Sequence, residues 1–79
     1  MELLKLNLYQ LLVFFHVANE KSMTLAAERL YLTQPTISIH IKSLEESTHM
    51  KLIEIKRKKL TLTANGEVLF HYCKHLKYR

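Results

Sequence analysis

The chain has 79 residues and a mass of 9.4 kDa, with 12 Lys and Arg against 7 Asp and Glu, a formal charge of +5 at pH 7 and a pI near 9.5. That length supports one small domain, and a hydrophobic share of 48% excludes wholesale disorder. The longest apolar run, residues 11–15, is too short for a membrane span or a signal-peptide core, and the lone Cys73 excludes an internal disulfide and fits a reducing, cytoplasmic setting.

Leu8, Leu11, Phe15 and Ala18 share one helical face, which predicts a first helix over residues 7–19. Val13 and Val17 form a second stripe, and a helix apolar on two faces is expected to be sandwiched between neighbours. Ser22 is a good N-cap for a second helix, in which Met23, Ala27 and Leu30 recur at helical spacing. The small Ala26-Ala27 pair lets another helix approach closely. Thr33 then caps a third helix, with Pro35 in its first turn, where a missing N–H costs nothing. Its buried stripe is Ile37, Ile41 and Leu44, and it is expected to end near Ser47-Thr48. The opposite face carries Ser38, Ile39, Lys42, Ser43 and Glu46.

Residues 51–55 and 60–63 read as two short β segments. The cationic run between them places Lys56, Arg57 and Lys58 at a hairpin tip. Thr63 caps a last helix with Leu69, Tyr72, Cys73 and Leu76 on its apolar stripe. Charge is concentrated in this second part. Residues 1–50 carry four Lys and Arg against five Asp and Glu, whereas residues 51–79 carry eight against two. A basic excess of this kind points to an acidic partner, nucleic acid first.

The short connection between the second and third helices, with a polar N-terminus on the third, is a helix-turn-helix arrangement. Its second helix enters the major groove. Gln34 stands where it can pair bidentately with adenine, and Thr33, Thr36 and Ser38 can bond to phosphate or base. The free N–H groups of the first turn favour a nearby phosphate. The hairpin then acts as a wing, its cations following the backbone or entering the minor groove.

At these residues the chain resembles the DNA-binding domain of LysR-type transcriptional regulators. The matching pieces are Leu8-x-x-Leu11-x-x-Phe14, Ser22-x-Thr24-x-Ala26-Ala27-Glu28-x-Leu30, Thr33-Gln34-Pro35-x-Ile37-Ser38, Ile41-x-x-Leu44-Glu45, Leu52-Ile53-Glu54 and Leu62-Thr63-x-x-Gly66. Each is weak alone; the ordered set is specific. The resemblance implies a mainly α fold with a small β-hairpin, a winged helix-turn-helix over residues 1–63. Within it the helix-turn-helix spans about residues 23–42 and the wing about 51–63. Residues 64–79 would begin a linker helix that pairs two subunits. The resemblance also implies a separate effector-binding domain, which this chain lacks, so the chain reads as an N-terminal fragment or a truncated member. A small-molecule effector would act only through that domain.

By resemblance, Gln34, Pro35 and Ser38 occupy major-groove positions. The full expected DNA-contacting set is Ser22, Thr24, Thr33, Gln34, Pro35, Thr36, Ser38, Ile39 and Lys42, with Lys56, Arg57 and Lys58 from the wing. Three residues depart from the family pattern. Ile39 stands where a basic residue is common, and it either contacts a thymine methyl or weakens a phosphate contact and changes sequence preference. Ile55 stands where an Arg precedes the wing and is expected to pack inward. His49 replaces a Gly after the third helix, tolerable but strained if the backbone there is left-handed. A weak homodimer is expected through Val13 and Val17 on the first helix and Leu69, Tyr72, Cys73 and Leu76 on the last.

Other residues have blander readings. His71 and His75 are four apart on the last helix but lack further ligands, so no metal is expected. Cys73 on an apolar stripe reads as packing rather than redox chemistry. No acid–base constellation or cofactor motif is present, so no enzyme is expected. The rival class is a winged helix used for protein contacts, which the cationic wing and Gln34 disfavour.

Overall fold

The computed structural model describes residues 7–77, with side chains as far as His75. The element order is α1 (Leu8–Glu20), α2 (Met23–Leu30), α3 (Gln34–Thr48), β1 (Ile53–Lys56), β2 (Lys59–Leu62) and α4 (Ala64–Lys77). The mainly α winged architecture is as expected. α1 is the central post and touches α2, α3 and α4.

Each helix begins where a side chain satisfies its free N–H groups. The Asn7 side chain accepts from the N–H groups of Tyr9 and Gln10 at 2.8 and 3.2 Å. Ser22 accepts from Leu25 at 3.0 Å, Thr33 from Thr36 at 3.3 Å and Thr63 from Gly66 at 3.0 Å. α2 and α3 both end in Schellman turns, the Leu32 N–H donating to the Ala27 carbonyl at 2.9 Å and the Met50 N–H to that of Glu45 at 3.1 Å. The left-handed residue in each is not glycine. Tyr31 has φ 58° and His49 has φ 57°, so the strained geometry expected at His49 is present.

The core gathers Phe14, Ile37, Ile41, Leu44 and Leu52, all fully or almost fully buried. Val13 and Val17 are also fully buried. This corrects their assignment to an outer, dimer-forming face. The second stripe of α1 is covered within the chain, because α1 has helices on more than one side.

The hairpin is a two-stranded antiparallel sheet with Ile53 opposite Leu62 and Lys56 opposite Lys59. Two long-range devices hold it to the helices. The Glu45 carboxylate on α3 accepts from the backbone N–H groups of Leu52 and Ile53 at 2.8 and 3.3 Å. The start of α4 lies against the Leu52 carbonyl, which accepts from the Thr63 N–H at 3.0 Å. Gly66 makes that approach possible, since a Cβ there would lie 2.1 Å from the same oxygen. The chain's single glycine is therefore used for close packing inside a helix, not for a turn.

α4 packs on α1 and β2. The Phe15 and Phe70 rings meet at 5.6 Å, and Cys73 is buried in the core cluster. This splits the stripe expected on the last helix. Cys73 faces inward, where burial pushes its thiol pKa up. Leu69 is half-buried and Tyr72 lies at the surface. The Leu76 side chain lies outside the described residues. Among the described residues no helix is long and apolar enough to cross a membrane.

Candidate nucleic-acid interface

The turn between α2 and α3 is only Tyr31, Leu32 and Thr33, and the chain folds back so that the first turn of α3 meets the first turn of α2. One hydrogen bond records the contact. The Thr24 hydroxyl donates to the Gln34 side-chain oxygen at 3.2 Å, and both residues are exposed. Thr24 thereby holds the Gln34 amide at the helix start with its NH2 donors and a second oxygen lone pair unused. That leaves the donor–acceptor pair that adenine's N7 and N6 edge requires. The Thr33 and Thr36 hydroxyls lie 2.9 Å apart across the same N-terminus. Pro35 is exposed, while Ser22, Thr36 and Ser38 are partly covered.

Ile39 is 66% exposed, and Lys42 is exposed one turn beyond it. Ser38 and Lys42 of α3 line an open cleft together with Lys51 and with Ile53 and Ile55 of β1. The expected inward packing of Ile55 is not found, because its side chain is 55% exposed. It lies on the same sheet face as buried Ile53, two residues along. Ile55 lies in the open cleft between β1 and α3, where no side chain covers it as fully as Ile53 is covered.

The wing tip is a two-residue loop. Arg57 has φ 53° and Lys58 has φ 65°. Two positive φ values identify the type I′ turn that matches the twist of a hairpin, a turn that strongly favours Asn-Gly. Here both positions hold long cations instead. The closing pair is Lys56 opposite Lys59, and like charges directly opposite destabilise a ladder. Four cations thus crowd one strained tip and all are exposed. Backbone strain and self-repulsion are kept together at one exposed, cationic place.

The structure joins Thr24 to Gln34 and sets Ser38 and Lys42 across a cleft from the wing strand. Lys51 and Lys59, counted in the basic excess but not in the expected DNA-contacting set, are also exposed. The β pairing that places Lys59 opposite Lys56 is visible only once the register is known. Val68 was passed over in the sequence. It is 70% exposed and shares a shallow apolar groove with Met50, Leu69 and Tyr72. Among the described residues no group of three or more His, Cys, Asp or Glu is placed to hold a metal ion.

Comparison with known proteins gives a consistent result. The family described as "Bacterial regulatory helix-turn-helix protein, lysR family" matches residues 8–67. A probable RuBisCO transcriptional regulator of Phaeodactylum tricornutum is 39% identical over 94% of the chain and 24% of its own length. The HTH-type transcriptional regulator CfxR of Cupriavidus necator is 42% identical over 90% of the chain and 22% of its own length. The crystal structure of the BenM DNA-binding domain with catB site 1 DNA superposes with a TM-score of 0.87 at 32% identity, covering 92% of this chain and 81% of that one. The chain spans about a quarter of the length of the curated relatives it matches.

Proposed function

Since the chain belongs to the LysR family of bacterial helix-turn-helix regulators and has the fold of that family's DNA-binding domain, we propose that it binds duplex DNA sequence-specifically through α3 and the hairpin. Its role is regulation of transcription in the bacterial cytoplasm, by binding rather than catalysis. The observation that carries this is the pairing of a positioned reading group with a cationic tip. Gln34 is held by Thr24 at the exposed start of α3, and four cations stand at the turn of the adjoining wing.

Gln34 reads a base edge, with Pro35 and Ser38 beside it in the major groove. Ser22, Thr24, Thr33 and Thr36 contact phosphates near the two helix N-termini, as does Lys42 along α3. Lys56, Arg57, Lys58 and Lys59 follow the backbone at the wing. A second copy pairs through the exposed side of α4, where Val68, Tyr72 and Leu69 adjoin Met50. The patch is small, so at ~25 cal/mol per Å² it offsets little more than the cost of association. The dimer is weak in dilute solution and firmer on DNA. Its two recognition helices address half-sites about one helical turn apart.

Duplexes selected from a randomised pool by the chain test this reading. Fluorescence anisotropy should give selected duplexes at least tenfold tighter binding than the unselected pool at moderate salt. The logarithm of affinity should fall linearly with that of salt concentration. Failure to enrich any duplex would leave the winged helix as a protein-contact module. Val68→Glu should weaken binding to paired half-sites but not to a single one.

A further inference from the structure

Ile39 does something that none of the hydrogen-bonding residues of α3 can do. A helix repeat of 3.6 residues places Ile39 almost opposite the buried Ile37, Ile41 and Leu44 stripe. At 66% exposure it is an uncovered aliphatic group on the outward face. Exposed Pro35 lies one turn before it on the same side of the helix. Two rows therefore run side by side along α3. Gln34 and Ser38, four apart, form a hydrogen-bonding row. Pro35 and Ile39, also four apart, form an apolar row.

We propose that Ile39 reads the C5-methyl group of thymine, making this chain select T at one position of each half-site. The proposal rests on the reading of α3 as the major-groove helix. Isoleucine neither donates nor accepts a hydrogen bond. Against the N4 amino group of cytosine, or the acceptors of guanine, it would strip water from a polar group and return nothing. Thymine alone presents an apolar knob on the major-groove edge. The preference therefore has two sources, a methyl contact with thymine and a desolvation penalty with its competitors. β-Branching adds stiffness, because one χ1 rotamer dominates for Ile in a helix. The methyls are held in place before DNA arrives. The polar row beside it suits A·T pairs as well, since adenine meets the Gln34 amide while thymine meets the neighbouring aliphatic ridge.

Uracil tests this, because it lacks only the methyl group and keeps every hydrogen-bonding group of thymine. Duplexes selected by the chain from a randomised pool are resynthesised with thymidine or with deoxyuridine throughout. Burying one methyl contributes about a three- to fivefold factor in affinity. The wild-type chain should bind the thymidine duplexes more tightly by at least that factor, and the unselected pool should show no difference. Ile39→Ala, which leaves the helix intact on an exposed position, should reduce the thymidine preference by about two- to fivefold, leaving only what Pro35 contributes. Equal wild-type affinity for the two selected forms overturns the proposal, as does a thymidine preference that survives undiminished in Ile39→Ala. In both cases selective binding persists, so the failure is distinct from a failure to select any duplex, which would remove the DNA reading itself.

Discussion

Replacing Arg57-Lys58 by Asn-Gly should make the domain more stable and its DNA binding weaker. Both wild-type residues have positive φ, 53° and 65°, and a left-handed conformation costs an ordinary L-residue about 1–2 kcal/mol. Asn and Gly are the residues a type I′ turn favours. Gly returns part of that relief, about 0.5–1 kcal/mol, through its freer unfolded chain. Removing two of the four tip cations also relieves the repulsion around the Lys56–Lys59 pair. A net gain of about 1 kcal/mol is expected, which for a domain of this size raises Tm by about 4–8 °C. Binding should move the other way. Each lost phosphate contact lowers the slope of log affinity against log salt by about 0.9, so two lower it by about 1.8. Between 50 and 200 mM salt the variant should lose about 12-fold less affinity than the wild type. Thermal melts by circular dichroism and anisotropy at four salt concentrations measure both. An unchanged or lower Tm would mean that the turn stores no strain. An unchanged salt slope would mean that the tip does not meet phosphates.

Three further outcomes are expected. Gln34→Ala should cost about 1–3 kcal/mol on a selected duplex and leave random duplex binding almost intact, and Thr24→Val should give a smaller loss of the same kind; equal losses on both duplexes would reduce Gln34 to a backbone contact. Gly66→Ala should destabilise the fold by about 1–3 kcal/mol in urea titrations, although Ala is the better helix former, because its Cβ meets the Leu52 carbonyl. Burial raises the Cys73 thiol above its ordinary pKa of 9.0, so the folded state holds that proton longer than the unfolded chain. The stability linked to it is complete below that value and is lost as pH rises through the folded-state pKa; alkylation of the native protein at pH 8 should accordingly be slow, and a rate equal to that of a free cysteine would contradict the buried placement.

Three of the helix starts were legible because capping is local. Ser22, Thr33 and Thr63 each act within three residues of their partners, so the signal lies in a short window of sequence; the Asn7 cap was not singled out, and the first helix was placed by its periodicity and begins one residue later than expected. The Ile37, Ile41 and Leu44 stripe was legible for a similar reason. What depended on a distant partner was not. Val13 and Val17 read as an outer stripe because periodicity shows that a face is apolar, not whether the chain's own helices cover it. Cys73 was grouped with Leu69 and Tyr72, yet α4 packs on α1 at an angle that places Cys73 inside and leaves Val68 outside. Ile55 alternates correctly with Ile53 but stands in an open cleft beside α3, and the width of that gap is a tertiary property. The left-handed turns at Tyr31, Arg57 and Lys58 carry no Gly or Asn to announce them. The Thr24–Gln34 bond joins residues ten apart, and only the close approach of α2 and α3 reveals it.

The central claim is that the start of α3 and the wing form one DNA-facing surface. Amide chemical-shift changes in the 15N-labelled chain, followed as a selected duplex is added, test it most directly. Shifts should concentrate at residues 22–24, 33–42 and 54–60, with smaller ones at Met50, Val68, Leu69 and Tyr72 as two copies pair and the backbone of α1 little changed. Shifts confined to α1 and the exposed side of α4, with Gln34, Ser38 and the Arg57-Lys58 turn unmoved, would contradict the account.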